Sequence, residues 1–156
     1  MQRMTAAMIS ADRIMVNDAL MLKGHGSSCA ILYQDGSEET LNISTAEYLE
    51  EKCLAHGSTM EGRQKCFAIR MQARQKLPVL VSETSNEIWF PLTSMKDPDV
   101  IWLNHSMILE AKAMPDNNCC ILFASGISRT IRCSARTVKK QMKRCHAYLQ
   151  GFYENH

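Results

Sequence analysis

The 156-residue chain contains no C-x-x-C pair and no H-E-x-x-H sequence. Their absence removes the usual zinc spacings. It also has no oxygen-rich carboxylate cluster of the kind that holds calcium or magnesium. No two acids stand out as a general acid–base pair, so no catalytic residue, metal or cofactor is expected. The apolar runs fall far short of the ~20 residues that span a bilayer, and no membrane partner is expected. The first residues carry Arg3, Asp12 and Arg13 and have no long apolar core, so they do not read as a secretory signal. No internal repeat and no low-complexity tract stands out. A soluble cytoplasmic protein is the expectation.

Seven cysteines are present: Cys29, Cys53, Cys66, Cys119, Cys120, Cys133 and Cys145. The count is odd, and the adjacent pair Cys119–Cys120 would point to opposite faces of a strand. That pattern suits buried thiols in a reducing compartment better than a disulfide framework. The segment Gly57-Ser58-Thr59-Met60-Glu61-Gly62-Arg63 has the glycine spacing of a P-loop. Arg63 stands where the phosphate-binding Lys is needed, however, and Gln64 where the magnesium-binding hydroxyl is needed. Nucleotide hydrolysis is not expected.

What the chain does have is an ordinary globular balance, 46% hydrophobic and 22% charged residues, with length enough for one domain. Residues 11–153 are expected to form it, after a flexible stretch over 1–10 that carries Met1, Met4 and Met8. The net charge of +2 conceals segregation. Asp35, Glu38, Glu39, Glu47, Glu50 and Glu51 form a block without a base. Arg63, Lys65, Arg70, Arg74 and Lys76 form a block without an acid. Arg129, Arg132, Arg136, Lys139, Lys140, Lys143 and Arg144 form a second one. Single-sign patches attract a polyanion or serve as solvated faces.

The pattern predicts strands over 19–23, 29–33 and 40–43, with a turn at Gln34-Asp35-Gly36-Ser37. Ser44 with Glu47 three residues on makes a capping box and starts a helix that runs to about Leu54. A polar loop follows over 57–62, and 66–71 is a strand or a helical turn. Strands over 79–81 and 87–90 pair as a hairpin. Residues 100–114 make two strands or one bent strand, and 119–124 and 127–133 are strands. Ser134 caps a last helix reaching Tyr148 or Gln150, with Val138, Met142, Cys145 and Leu149 in one apolar stripe opposite the cations. The order implies an α+β fold of mainly antiparallel sheets with a mid-chain helix and an amphipathic C-terminal helix.

Several of these residues recur together. Cys53 leads through Gly57-Ser58 to Gly62-Arg63. Pro78, Val79, Val81, Ile88, Phe90-Pro91, Ser94, Pro98, Trp102 and His105 follow. Then come Ser125-Gly126 between strands, Ser134 and the final Tyr148-Leu149. In this order and spacing the chain resembles the ComK family of bacterial competence transcription factors, over about residues 10–150. The resemblance implies an activator of DNA-uptake genes. It implies recognition of paired A-rich and T-rich boxes in duplex DNA, largely through the minor groove, by a homo-oligomer. RNA polymerase and a proteolytic adaptor are the implied protein partners. DNA contact is carried onto Ser58, Gly62 and Arg63 by the resemblance. Charge alone adds Lys65, Arg70, Arg74 and Lys76, and the helix cations Arg136, Lys139, Lys140, Lys143 and Arg144. The chain departs from the family pattern at His56 and Met60, where an aromatic is familiar, so no stacking role is carried over. It also ends soon after the last helix, where longer relatives continue. The competing expectation is a module that keeps the fold, does not bind DNA and regulates a protein partner.

Overall fold

Short buried runs and tight glycine turns build the sheets of this protein. The computed structural model describes residues 17–154, with side chains to 151. The expected flexible stretch 1–10, and Met15 beyond it, lie outside the described residues. Among the described residues nine strands form two antiparallel sheets. The larger has the order β3-β2-β1-β6-β5-β4: β1 (Ala19–His25), β2 (Ser28–Tyr33), β3 (Glu38–Leu41), β4 (Val79–Ser82), β5 (Glu87–Pro91) and β6 (Ile101–Asn104). The smaller has the order β7-β8-β9: β7 (Ile108–Met114), β8 (Asn118–Phe123) and β9 (Ser128–Ile131). The helices are α1 (Thr45–Ala55), α2 (Met60–Met71) and α3 (Ala135–Glu154). The α+β class with mainly antiparallel pairing is therefore as expected.

The elements stack in three layers. One face of the large sheet buries Leu22, Ile31, Val81, Trp89 and Trp102 against Tyr48, Leu49 and Cys53 of α1. The other face buries Leu32, Leu80, Phe90 and Leu103. There it meets Cys119, Ile121 and Phe123 of the small sheet, Val138, Cys145 and Tyr148 of α3, and Phe67 of α2.

Several expectations need correction. The third strand sits two residues earlier than 40–43, because Gly36, at φ 86°, closes a hairpin that pairs Leu32 with Glu38. The polar loop expected over 57–62 and the undecided 66–71 belong largely to one helix, α2. Thr59 caps it by accepting from the Gly62 N–H at 3.0 Å. Of the two readings of residues 100–114, two strands is the one that holds; they lie in different sheets, parted by a 3-10 turn at His105–Met107. The last helix passes Gly151 and reaches Glu154.

The largest correction concerns repeats. The unit β1-β2-β3-α1 recurs as β7-β8-β9-α3. Cys29 pairs with Leu41 and Ala30 with Thr40, just as Cys119 pairs with Ile131 and Cys120 with Thr130, a displacement of 90 residues (119 − 29). Both first strands carry a register shift, between Ala19 and Met21 and between Ile108 and Glu110. Ser44 and Ser134, also 90 apart (134 − 44), bond the backbone N–H three residues on. The matching positions are few in sequence: Cys29, Ile31, Leu32, Gly36, Thr40 and Ser44 meet identical residues. At two matching positions the charge is reversed: Glu39 stands against Arg129 and Glu50 against Lys140.

Candidate nucleic-acid interface

The cationic residues sort into two places joined by α2. At about 1.5 Å per residue, this helix of 12 residues spans roughly 18 Å. Ser58, Gly62 and Arg63 gather at its N-terminal end. There the Arg63 Nε donates to Ser58 Oγ at 3.1 Å, and its Nη1 meets Glu83 Oε1 at 3.0 Å. Ser58 Oγ in turn donates to the Cys53 carbonyl at 3.2 Å. The Arg63 side chain is only 19% exposed. This cluster ties the loop before α2 to the β4–β5 turn. Gly62 has a local role as well: a Cβ there would lie 2.9 Å from the capping Thr59 Oγ1.

At the other end of α2 the two acid-free segments meet. Gln72 and Lys76 adopt left-handed backbone, φ 51° and 50°. The Gln72 N–H closes α2 by donating to the Ala68 carbonyl, and the Lys76 carbonyl faces α3. Gln141, 2% exposed, anchors that turn by donating from Nε2 to the carbonyls of Lys76 at 2.9 Å and Pro91 at 2.8 Å. Arg144 donates to the Gln141 side-chain oxygen and to the Gln75 carbonyl at 3.2 Å. Its guanidinium carbon stands 5.4 Å from the Phe67 ring centroid. Burial lowers the Arg144 pKa from its usual value, and it stays charged near neutrality.

The result is an open cleft of about 520 Å³ whose lining includes Arg74, Lys76, Lys140 and Arg144 and no carboxylate. Arg136, Lys139 and Lys143 continue the positive surface along the exposed face of α3. Lys65 and Arg70 are exposed on α2, Arg70 beside the C-terminal part of α3 near Tyr148 and Gly151. So the structure brings Arg74 and Lys76 together with the helix cations. It leaves Ser58, Gly62 and Arg63 at a separate end.

Sequence reasoning missed Gln141, the residue that joins these segments. Its one signal is a polar side chain three residues after Val138 and four before Cys145, inside the apolar stripe. Met142 and Leu149, read as core, are only partly buried, while Gln141 and Tyr148 take the deeper positions. Reasoning also passed over Lys52, which is fully buried on α1 with its Nζ 3.1 Å from Glu87 Oε2.

Comparison with protein families decides what kind of molecule carries this surface. The family model described as ComK protein matches residues 5–155, nearly the whole chain. This chain belongs to the ComK family. ComK proteins are competence transcription factors rather than enzymes, and a DNA-facing surface is what such a role needs. No curated protein and no solved structure gives a significant match. Among the described residues, no helix is long and apolar enough to cross a membrane.

Proposed function

We propose that the chain activates DNA-uptake genes by binding paired A-rich and T-rich boxes in duplex DNA, largely through the minor groove, as a homo-oligomer. The observation that carries this reading is the acid-free surface that the loop over 72–76 and α3 build together. The cations of α3 suit a row of phosphates, whose neutralisation supplies affinity. Arg74, on a loop that projects from the end of α2, suits the narrow minor groove of A-tracts, where the negative potential is strongest. The contact set is Arg74, Lys76, Arg136, Lys139, Lys140, Lys143 and Arg144. Lys65 and Arg70 add exposed charge along α2. Ser58, Gly62 and Arg63 act mainly by holding the N-terminal end of that helix. RNA polymerase and a proteolytic adaptor are the protein partners this role implies.

The acidic block supports the same orientation. Glu47, Glu50 and Glu51 lie on α1, on the opposite side of the large sheet from α3. A DNA duplex would attract one face and repel the other, which steers approach.

The test is binding to a labelled duplex with paired A-tract and T-tract boxes, against a scrambled G·C-rich duplex, over a salt series. The expected result is preference for the first duplex. The log–log salt slope should correspond to roughly five or more phosphate contacts at about 0.9 each. Weak and equal binding to both duplexes overturns operator recognition and leaves a module that acts on a protein partner.

A further inference from the structure

The repeat of β1-β2-β3-α1 as β7-β8-β9-α3 is complete except at one edge. In the first unit the outer side of β1 is filled: β6 pairs with it antiparallel, Met21 opposite Leu103, Leu22 opposite Trp102 and Lys23 opposite Ile101. The matching positions of the second unit, 89 residues on, are Glu110, Ala111 and Lys112 of β7. Among the described residues no strand lies beside them: β7 ends its sheet. The other three sheet edges, β3, β4 and β9, are four residues long, and β7 is seven. Long open edges with apolar side chains are what proteins ordinarily shorten, cover or pair. This one carries Leu109 at 66% and Met114 at 38% exposure.

The sequence of β7 reads Ile108-Leu109-Glu110-Ala111-Lys112-Ala113-Met114. Laid antiparallel against itself about Ala111, it sets Glu110 opposite Lys112 twice, over the same three positions that β6 covers on β1, and the register shift between Ile108 and Glu110 ends the regular ladder beyond them. Opposite charges directly across an antiparallel pair attract, and like charges repel. The strand is thus complementary to its own copy, as a two-fold interface requires.

We propose that β7 pairs with β7 of a second copy of this chain, antiparallel about a two-fold axis through Ala111, joining two three-stranded sheets into one of six. The second copy supplies in trans what β6 supplies to β1 in cis. This deepens the homo-oligomer part of the reading above. Its test uses no DNA, so failure of the dimer and failure of DNA recognition are read separately.

The experiment is sedimentation equilibrium of the full chain across a wide range of protein concentration, with circular dichroism as the check on folding. Glu110 and Lys112 are both exposed, so their replacement leaves the fold intact. Glu110→Lys places Lys opposite Lys at two points, and Lys112→Glu places Glu opposite Glu. Each should weaken self-association by about ten-fold. The double variant Glu110→Lys/Lys112→Glu restores opposite charges and should restore the dimer. An equimolar mixture of the two single variants should form a heterodimer where neither forms a homodimer. A wild-type chain that stays monomeric throughout overturns the proposal. So does a dimer indifferent to both single changes, or a double variant no stronger than the singles.

Discussion

His105 sits where the two sheets part, with its ring 6.4 Å from that of Phe90 and edge-on to it. Burial, and then the neighbouring His146, hold its pKa below the ordinary 6.5. The sign follows from linkage. Below pH 6.5 the unfolded chain takes up the proton more readily than the folded chain, so stability falls as pH drops through that window. His105→Phe should flatten the pH dependence of urea midpoints between pH 6.5 and the lowered folded value; an unchanged slope would assign it to other groups. Lys52 makes a second residue-scale case. Its ammonium and the Trp89 indole N–H, at 2.7 Å, share the Glu87 Oε2 oxygen inside the apolar core. Breaking a buried pair strands a charge and costs about 3–5 kcal/mol. Lys52→Met, which keeps most of the packing, should lose stability on that scale in chemical denaturation. A loss under ~1 kcal/mol would mean that the packing, not the pair, holds α1 in place. The buried thiols carry no comparable chemistry: burial pushes Cys29 up to about 12 and Cys53 up to about 11.

Helix α3 joins elements that are far apart in the chain. Its apolar side fills the space between the sheets, while Gln141 and Arg144 grip the backbone over 75–76 and the carbonyl of Pro91. The loop after α2 thus takes its shape from a helix some 65 residues later (141 − 76). Gln141→Leu would leave two carbonyls without their donor, and each orphaned group costs about 1–3 kcal/mol. Thermal denaturation should show that loss. DNA affinity should fall as well, since Arg74 and Lys76 ride on the released loop. A variant of reduced stability with unchanged DNA affinity would separate the loop from the interface. Much of α1 and α3 was legible in advance, because Ser44 with Glu47 and Ser134 with its cationic stripe are local signals. Helix α2 was not. Gly57 and Gly62 flank its start and imitate a loop, and only packing of Met60 and Phe67 against the sheet gives it a buried face.

At the scale of the whole molecule the charges separate by layer. The acids Glu47, Glu50 and Glu51 of α1 and the cations of α3 lie on opposite sides of the large sheet, so a modest net charge becomes a polar molecule. If the cleft and α3 meet DNA, the double variant Arg74→Ala/Lys140→Ala should bind more weakly and shed about two contacts' worth of salt slope, near 0.9 each. Arg63→Ala should leave the slope nearly unchanged, because Glu83 and Ser58 already engage that guanidinium. A slope that falls with Arg63 and not with Arg74 and Lys140 would move the interface to the other end of α2.

The sequence by itself determined what local forces decide. Short apolar strands, glycine turns, a capping box and an amphipathic last helix follow from side-chain spacing over a few residues. The segregation of charge into acid-free and base-free blocks was also plain to read. Tertiary structure alone decided which of those blocks share a surface, because Gln141 reaches back across the chain and no short window contains both partners. The duplication was equally out of reach. Six identities spread over 29–44 look accidental until matching strand registers set them side by side. The open edge of β7 becomes visible only then, against the filled edge of its counterpart.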